Sequence, residues 1–199
     1  MSNTIFSLPP NFVIDKFIKS VIKFTLIIEF VGAVFLFFIF RASNMPNSLW
    51  SAVFHSISAF CTAGFSLYNN SFESFYSHFW LNLVISALSY SGAVGFIVFV
   101  DVWRKIRGKI EKITLTSKII LHMTFWLSII GTLNIFLTES SIQQFPPDER
   151  LTVSFFQAMT ALTTVGFNTI PISSVTRASI VLLTLLMIIG ASPSGTGGV

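Results

Sequence analysis

Long uncharged runs separated by short polar segments set the pattern of this chain. Phe24 to Phe40 holds one charge, Glu29, and Trp80 to Val100 and Ile119 to Leu137 hold none. Each is close to the ~20 apolar residues that a helix needs to cross the hydrocarbon of a bilayer. A fourth run, Ala178 to Gly190, is shorter and ends at glycine, which predicts half a span. Two further apolar stretches lie between the long ones, Leu49–Phe60 and Leu151–Leu162. Ser48 stands before the first as a candidate N-cap. Asp148 and Glu149 stand before the second, where acids complement a helix N-terminus. At about twelve residues each, these helices are too short to span, which predicts re-entrant segments.

Composition supports a membrane protein. Of 199 residues, 53% are hydrophobic, 23 are Phe and only 10% are charged, against about 25% charged in a soluble domain. The mean hydropathy is +0.78. The first apolar run is long and lacks a small-residue cleavage site, so it reads as a span and not as a signal peptide. A net charge of +4 raises the question of nucleic acid, but the placement of the bases argues against it. Arg104, Lys105, Arg107, Lys109, Lys112 and Lys118 gather between two spans, and Lys16, Lys19 and Lys23 precede the first. Positive charge beside spans marks the cytoplasmic side. The N-terminus and residues 101–118 are therefore expected inside, and segments 42–78 and 139–177 outside. Trp50, Tyr76 and Trp80 fall near the predicted outer ends, as in an aromatic belt.

Each external segment carries one copy of a motif. FHSISAFCTAGFS, residues 54–66, aligns without a gap on FQAMTALTTVGFN, residues 156–168, with Gly64 over Gly166 and Phe65 over Phe167. The unit is an outward helix, a short helix, a small-residue loop and an inward helix, and it occurs twice. Repeats in a membrane usually surround a site on the axis between them. Cys61, Thr62, Ala63 and Gly64 follow the first short helix, and Thr163, Thr164, Val165 and Gly166 follow the second. Non-helical backbone at membrane depth is tolerated only where its polar groups face something that needs them. A dehydrated cation is such a partner, because backbone oxygens can replace its water. Glycine permits the required angles, and each short helix points the negative end of its dipole at the same place. Phe65 and Phe167 would wedge the loops against neighbouring helices. The competing reading is a pair of ordinary glycine C-caps, which two matched copies disfavour.

FHSISAFCTAGFS, TALTTVGFNTIPI and GASPSGTGG together resemble the Trk/Ktr family of potassium transporters, the membrane-embedded translocating subunits. The resemblance covers nearly the whole chain. It implies an all-α membrane protein of repeated helix–pore loop–helix modules, of which that family has four per chain. This sequence matches the second module and most of the third. The implied division is a pore module at 1–101, a cytoplasmic basic linker at 102–118 and a second pore module at 119–199. The resemblance also implies that Thr62, Ala63, Gly64, Thr164, Val165 and Gly166 line a filter through their carbonyls, joined by Cys61 and Thr163. Potassium is then the transported ion, with sodium as the alternative. Gly190, Ala191, Ser192, Pro193, Ser194, Gly195, Thr196, Gly197 and Gly198 would form an intramembrane gate loop. Proline and the added glycines break any helix there. The order PSGTGG replaces the PGSTGG expected of the family. Gly190 and Gly195 have the first spacing of a phosphate loop, but Thr196 and Gly197 stand where that motif needs lysine.

The same resemblance implies a plasma-membrane location, a homodimer and a cytosolic nucleotide-binding regulatory subunit that could dock on 101–118. Two strands cannot close a filter that needs four, so the chain is expected to work with missing pore modules or a second chain, or else to be a non-conducting fragment. No Ser/His/Asp or Cys/His arrangement supports an enzyme. His55, His78 and His122 lack metal-ligand spacing, and the lone Cys61 forms no internal disulfide. Glu29 is the intramembrane acid, facing the pore or pairing with Lys23 or Lys118. Glu73, Asp148 and Glu149 form either a solvated rim or a cation-concentrating one. Asn168 either braces the loop or turns it.

Overall fold

A computed structural model describes residues 14–190, 192 and 195–197. Among them every regular element is helical: α1 (Ile14–Ala42), α2 (Ser48–Phe60), α3 (Phe79–Val94), α4 (Phe96–Ile106), α5 (Leu115–Thr138), α6 (Pro147–Leu162) and α7 (Arg177–Ile189). Short 3-10 turns occur at Glu73–Phe75, Ser140–Ile142 and Ile172–Ser174. Among the described residues, α1 and α5 are long and apolar enough to cross a bilayer. Their outward faces are apolar too. Phe30 and Phe38 of α1 are 70% and 63% exposed, while Leu36 and Phe40 are wholly buried. Side chains such as these suit a lipid solvent and would be an aggregation surface in water.

The two halves share a plan. α2 packs between α1 and α3, α6 packs between α5 and α7, and α3 against α6 joins them. Small residues allow the close approach. A Cβ on Gly32 would fall 2.5 Å from Leu88 Cδ2 and 2.7 Å from Ser56 Oγ, and one on Gly131 would fall 2.9 Å from Leu186 Cδ1. The central core is aromatic. Phe40, Phe72, Phe75, Phe156 and Phe167 bury their rings with Met159 and Val165.

Two sequence expectations change here. Ser48 does not cap α2: it is the first helical residue, and Asn47 occupies the cap position in the left-handed region. The Ser48 hydroxyl instead donates backwards to Met45 O at 2.6 Å. The uncharged run from Trp80 to Val100 is not one straight helix. It breaks at Gly95, where φ is 88° and ψ 159°, and α4 leaves α3 at 97°. Periodicity cannot show this break, because the residues on both sides are apolar.

One device starts both α5 and α7. Thr114 caps α5, with its Oγ1 accepting from Ser117 N. The carboxylate of Asp101 accepts from the hydroxyls of Thr114 and Ser117. Likewise Thr176 caps α7 and its Oγ1 accepts from Ser179 N. Glu139 Oε2 accepts from Thr176 N at 3.0 Å and Oγ1 at 2.9 Å, and its Oε1 accepts from Ser141 N at 3.1 Å. Each acid thus reaches from the preceding element to the positive end of the next helix.

Glu139 lies just past the C-terminal end of α5. Burial pushes its carboxyl up, but hydrogen bonds from Ser179, Ser141 and Thr176 outweigh burial and hold it below the ordinary glutamate range. A lowered carboxyl stabilises the fold above its unfolded pKa, about 4.3, and this contribution is lost as pH falls through the folded value. Glu139→Gln is expected to cost about 1–3 kcal/mol at neutral pH, the worth of hydrogen bonds to a charged group. In thermal unfolding of the detergent-solubilised chain, the gap between parent and variant should close below about pH 4.

Candidate functional site

Both repeated loops leave their helices in the same way. Cys61 closes α2 with φ −73° and ψ 1°, and Thr163 closes α6 with φ −86° and ψ −7°. The next residue then turns left-handed: Thr62 has φ 50° and Thr164 φ 58°. The glycine two places on is left-handed again, Gly64 at 68° and Gly166 at 87°. A β-branched residue at positive φ is a genuine outlier, held only where surroundings over-determine it. Here the threonine hydroxyls help, Thr62 Oγ1 donating to Cys61 O at 2.8 Å and Thr164 Oγ1 to Thr163 O at 2.7 Å. The Cys61 and Thr163 oxygens are therefore engaged with the next side chain. Beyond them the pattern changes. Among the described residues, none donates to the backbone oxygens of Thr62, Ala63, Gly64, Val165 or Gly166.

The two strands touch. A Cβ on Gly64 would lie 1.8 Å from Val165 O, whereas a Cβ on Gly166 would meet nothing within 4 Å. The strands lie side by side, with open space at Gly166.

The structure also shows braces that sequence reasoning undervalued. His55, which has no metal-ligand spacing in the sequence, is wholly buried in the core. Its Nε2 accepts from Leu67 N at 3.3 Å, so its Nδ1 donates to Ser51 O at 2.7 Å. It stacks on Tyr68 at 5.0 Å. Gln157 holds the aligned position in the second copy, and its Nε2 donates to Thr169 Oγ1 at 3.4 Å. Both side chains run from the short helix to the segment just past the glycine. The signal was present in the aligned motif, where a large polar residue follows Phe54 and Phe156. Ser58 Oγ adds a bond to Phe65 O at 2.8 Å. Asn168 braces through its backbone, its N–H donating to Ser71 Oγ and its carbonyl accepting from Phe72 N at 2.9 Å.

The two phenylalanines part company. Phe167 is buried, edge-on to Phe72 at 4.9 Å, as a wedge should be. Phe65 is 69% exposed and wedges against nothing. Phe167 fills a socket built by the preceding copy, from Phe72 and His55. Among the described residues, no earlier copy offers Phe65 that socket.

Beneath the first strand the glycine-rich segment folds back. Ser192 N donates to Ala93 O at 3.1 Å and Thr196 N to Gly92 O at 3.0 Å. Thr196 Oγ1 donates to Phe60 O at 2.9 Å and lies 3.2 Å from Thr62 Oγ1. There is no room for side chains at this junction. A Cβ on Gly92 would sit 1.8 Å from Phe60 O, and one on Gly195 2.1 Å from Ala93 O. Gly190 ends α7 with φ 64°, and Gly197 lies in the bend that follows. Ala191, Pro193, Ser194 and Gly198 of the expected gate loop lie outside the described residues. The Glu29 carboxylate points to neither Lys23 nor Lys118 but lies 3.8 Å from Cys61 Sγ, at the end of α2. Among the described residues, no group of three His, Cys, Asp or Glu could hold a metal ion.

These paired loops have a counterpart in known proteins. A family model described as TrkH, cation transport protein, matches residues 13–199. The chain belongs to this family. It is 32% identical over 188 residues to the Ktr system potassium uptake protein B of Vibrio alginolyticus, covering 92% of this chain and 41% of that protein. It is 33% identical over 189 residues to the potassium/sodium uptake protein NtpJ of Enterococcus hirae, with the same two coverages. The chain thus spans about two-fifths of the length of these relatives. The crystal structure of the potassium transporter TrkH from Vibrio parahaemolyticus superposes with a TM-score of 0.75 at 21% identity, over 98% of this chain and 39% of that one. That likeness establishes the TrkH fold for the chain.

The contact between strands generates an asymmetric prediction. Gly166→Ala strains one left-handed backbone position and is expected to cost about 1–2 kcal/mol. Gly64→Ala adds a clash with the Val165 carbonyl and should cost clearly more. Thermal unfolding of the two variants checks the order, and equal losses would contradict the strand contact.

Proposed function

We propose that this chain forms part of a pathway for monovalent cations, most specifically for potassium uptake. α2 and α6 enter the membrane from outside without crossing it. The strands Cys61–Gly64 and Thr163–Gly166 then present backbone oxygens to the ion, which is the transported substrate. One observation carries this reading: five strand oxygens have no donor among the described residues, although the protein goes to the expense of two left-handed threonines to hold their strands. Thr62 and Val165 are buried, where carbonyls normally find a partner, and the more open Ala63, Gly64 and Gly166 would find little water at membrane depth. A partly dehydrated cation supplies what is missing. Alternating positive and negative φ also turns successive peptide planes the same way, in place of the alternation of a β-strand.

Several finer readings belong to the same proposal. Family membership supports transport, and the printed names of the relatives point to potassium, with sodium open through NtpJ. The glycine-rich segment Gly190–Gly198 serves as gate beneath the strands. The bases at 104–112 support a cytoplasmic N-terminus and a cytoplasmic segment 101–118 at the plasma membrane. Two strands wall only part of an ion site, so further pore modules or a second chain complete it, in a homodimer surrounded by lipid. A cytosolic nucleotide-binding subunit is the regulatory partner. Glu29, next to the end of α2, adds negative potential where the ion leaves the strands.

The test is complementation in cells that lack potassium uptake. Co-expressed with a polypeptide supplying the remaining modules, the chain should restore growth at limiting potassium. Gly64→Ser or Gly166→Ser, at equal membrane abundance, should lower rubidium uptake about tenfold, equivalent to ~1.4 kcal/mol of ion binding. No flux under any pairing would favour a non-conducting structural role instead.

A further inference from the structure

We propose that docking of the glycine-rich segment and the break at Gly95 are two halves of one hydrogen-bond exchange, with Thr196 as the positioning residue that ties it to the first strand. The inference rests on the reading of that segment as a gate, and it adds what the gate is coupled to.

In a continuous helix the oxygens of Gly92 and Ala93 accept from the amides of residues 96 and 97. Here α4 turns away at 97°. The same two oxygens accept from Thr196 N and Ser192 N. The segment lies where a continued helix would run, since a Cβ on Gly195 would be 2.1 Å from Ala93 O and 2.7 Å from Gly92 O. The two arrangements are therefore mutually exclusive. The Gly92 and Ala93 oxygens thus have a donor in either arrangement. Gly95 makes the trade possible. Its observed angles suit glycine, and glycine can also join a helix.

The exchange reaches in two directions. On one side Thr196 Oγ1 donates to Phe60 O, the last helical carbonyl of α2, beside Thr62 Oγ1. Departure of the segment removes the donor of Phe60 and the neighbour of the first left-handed strand residue. On the other side α4 carries Asp101, bonded to Thr114 and Ser117 at the start of α5. Straightening at Gly95 pulls Asp101 from that cap and swings the bases that follow it. α4 has 11 residues, so its far end would move by about 20 Å. A cytoplasmic partner that holds the basic segment in one position would thereby bias the segment beneath the strands, and the bias would be reciprocal.

The test uses the full chain reconstituted in nanodiscs with Cys61→Ser, so that added cysteines are the only thiols. Spin labels at Ser77→Cys and Lys105→Cys report the position of α4. Alkylation of Ser192→Cys, a position buried in the docked state, reports the segment. Gly195→Ala, which clashes with Ala93 O, should lengthen the 77–105 distance by about 10 Å, as expected when a helix bent at Gly95 straightens. Gly95→Ala should in turn speed alkylation at 192 several-fold. Thr196→Val should move both readouts in the same direction, and Thr196→Ser should restore them. If each glycine substitution moves only its own element, or if Thr196→Ser behaves like Thr196→Val, the coupling is wrong. Neither readout measures flux, so failure here is distinguishable from failure of the transport reading.

Discussion

A backbone oxygen without a donor is costly once water is kept from it, and this fold places a set of donor-less oxygens side by side. At Thr62–Gly64 and Val165–Gly166 the described protein offers these oxygens nothing. The elements around them serve to hold them in place. α2 and α6 aim at the strands, the threonine hydroxyls satisfy the carbonyl just before each strand, and His55 and Gln157 fasten the chain just after it. A polar group left unpaired by accident would relax by turning its peptide plane. Here bonds on both flanks prevent that rotation. Binding sites for ions depend on such pre-organisation, because the cost of arranging the ligands has been met during folding and not at the moment of binding.

The sequence carried much of this and missed particular parts for identifiable reasons. Apolar runs separated the long helices from the short ones, because bilayer thickness translates directly into a count of residues. The gapless match of residues 54–66 on 156–168 located both loops, because identical backbone turns demand similar small residues. The break at Gly95 stayed hidden: a lone glycine in an apolar run is compatible with a continuous helix, and the segment that breaks this one arrives from a hundred residues later in the chain. The Ser48 cap failed for a smaller reason, a left-handed Asn47 that starts α2 one residue sooner. The bracing role of His55 stayed hidden because its partners, Ser66 and Leu67, become partners only once the loop has folded back along its own helix. The fate of Phe65 depends on a socket that the first copy cannot build for itself.

That last contrast bears on how such modules evolve. Copies related by duplication begin equivalent, yet each contacts its neighbours differently, so equivalent residues come under different constraints. Phe167 is fixed by a socket from the preceding copy, and Gly64 is fixed by the carbonyl of the following one. Phe65 and Gly166, their counterparts, face open space in this chain. Both contacts run the same way across the one interface described: the first copy gives the aromatic socket and receives the second strand against its glycine. The strand oxygens are therefore positioned by contacts between the two copies as well as within each. The Thr62 and Thr164 hydroxyls, His55 and Gln157 act within a copy, while the Gly64–Val165 approach, the Phe167 socket and the bonds of Asn168 to Ser71 and Phe72 tie one copy to the other.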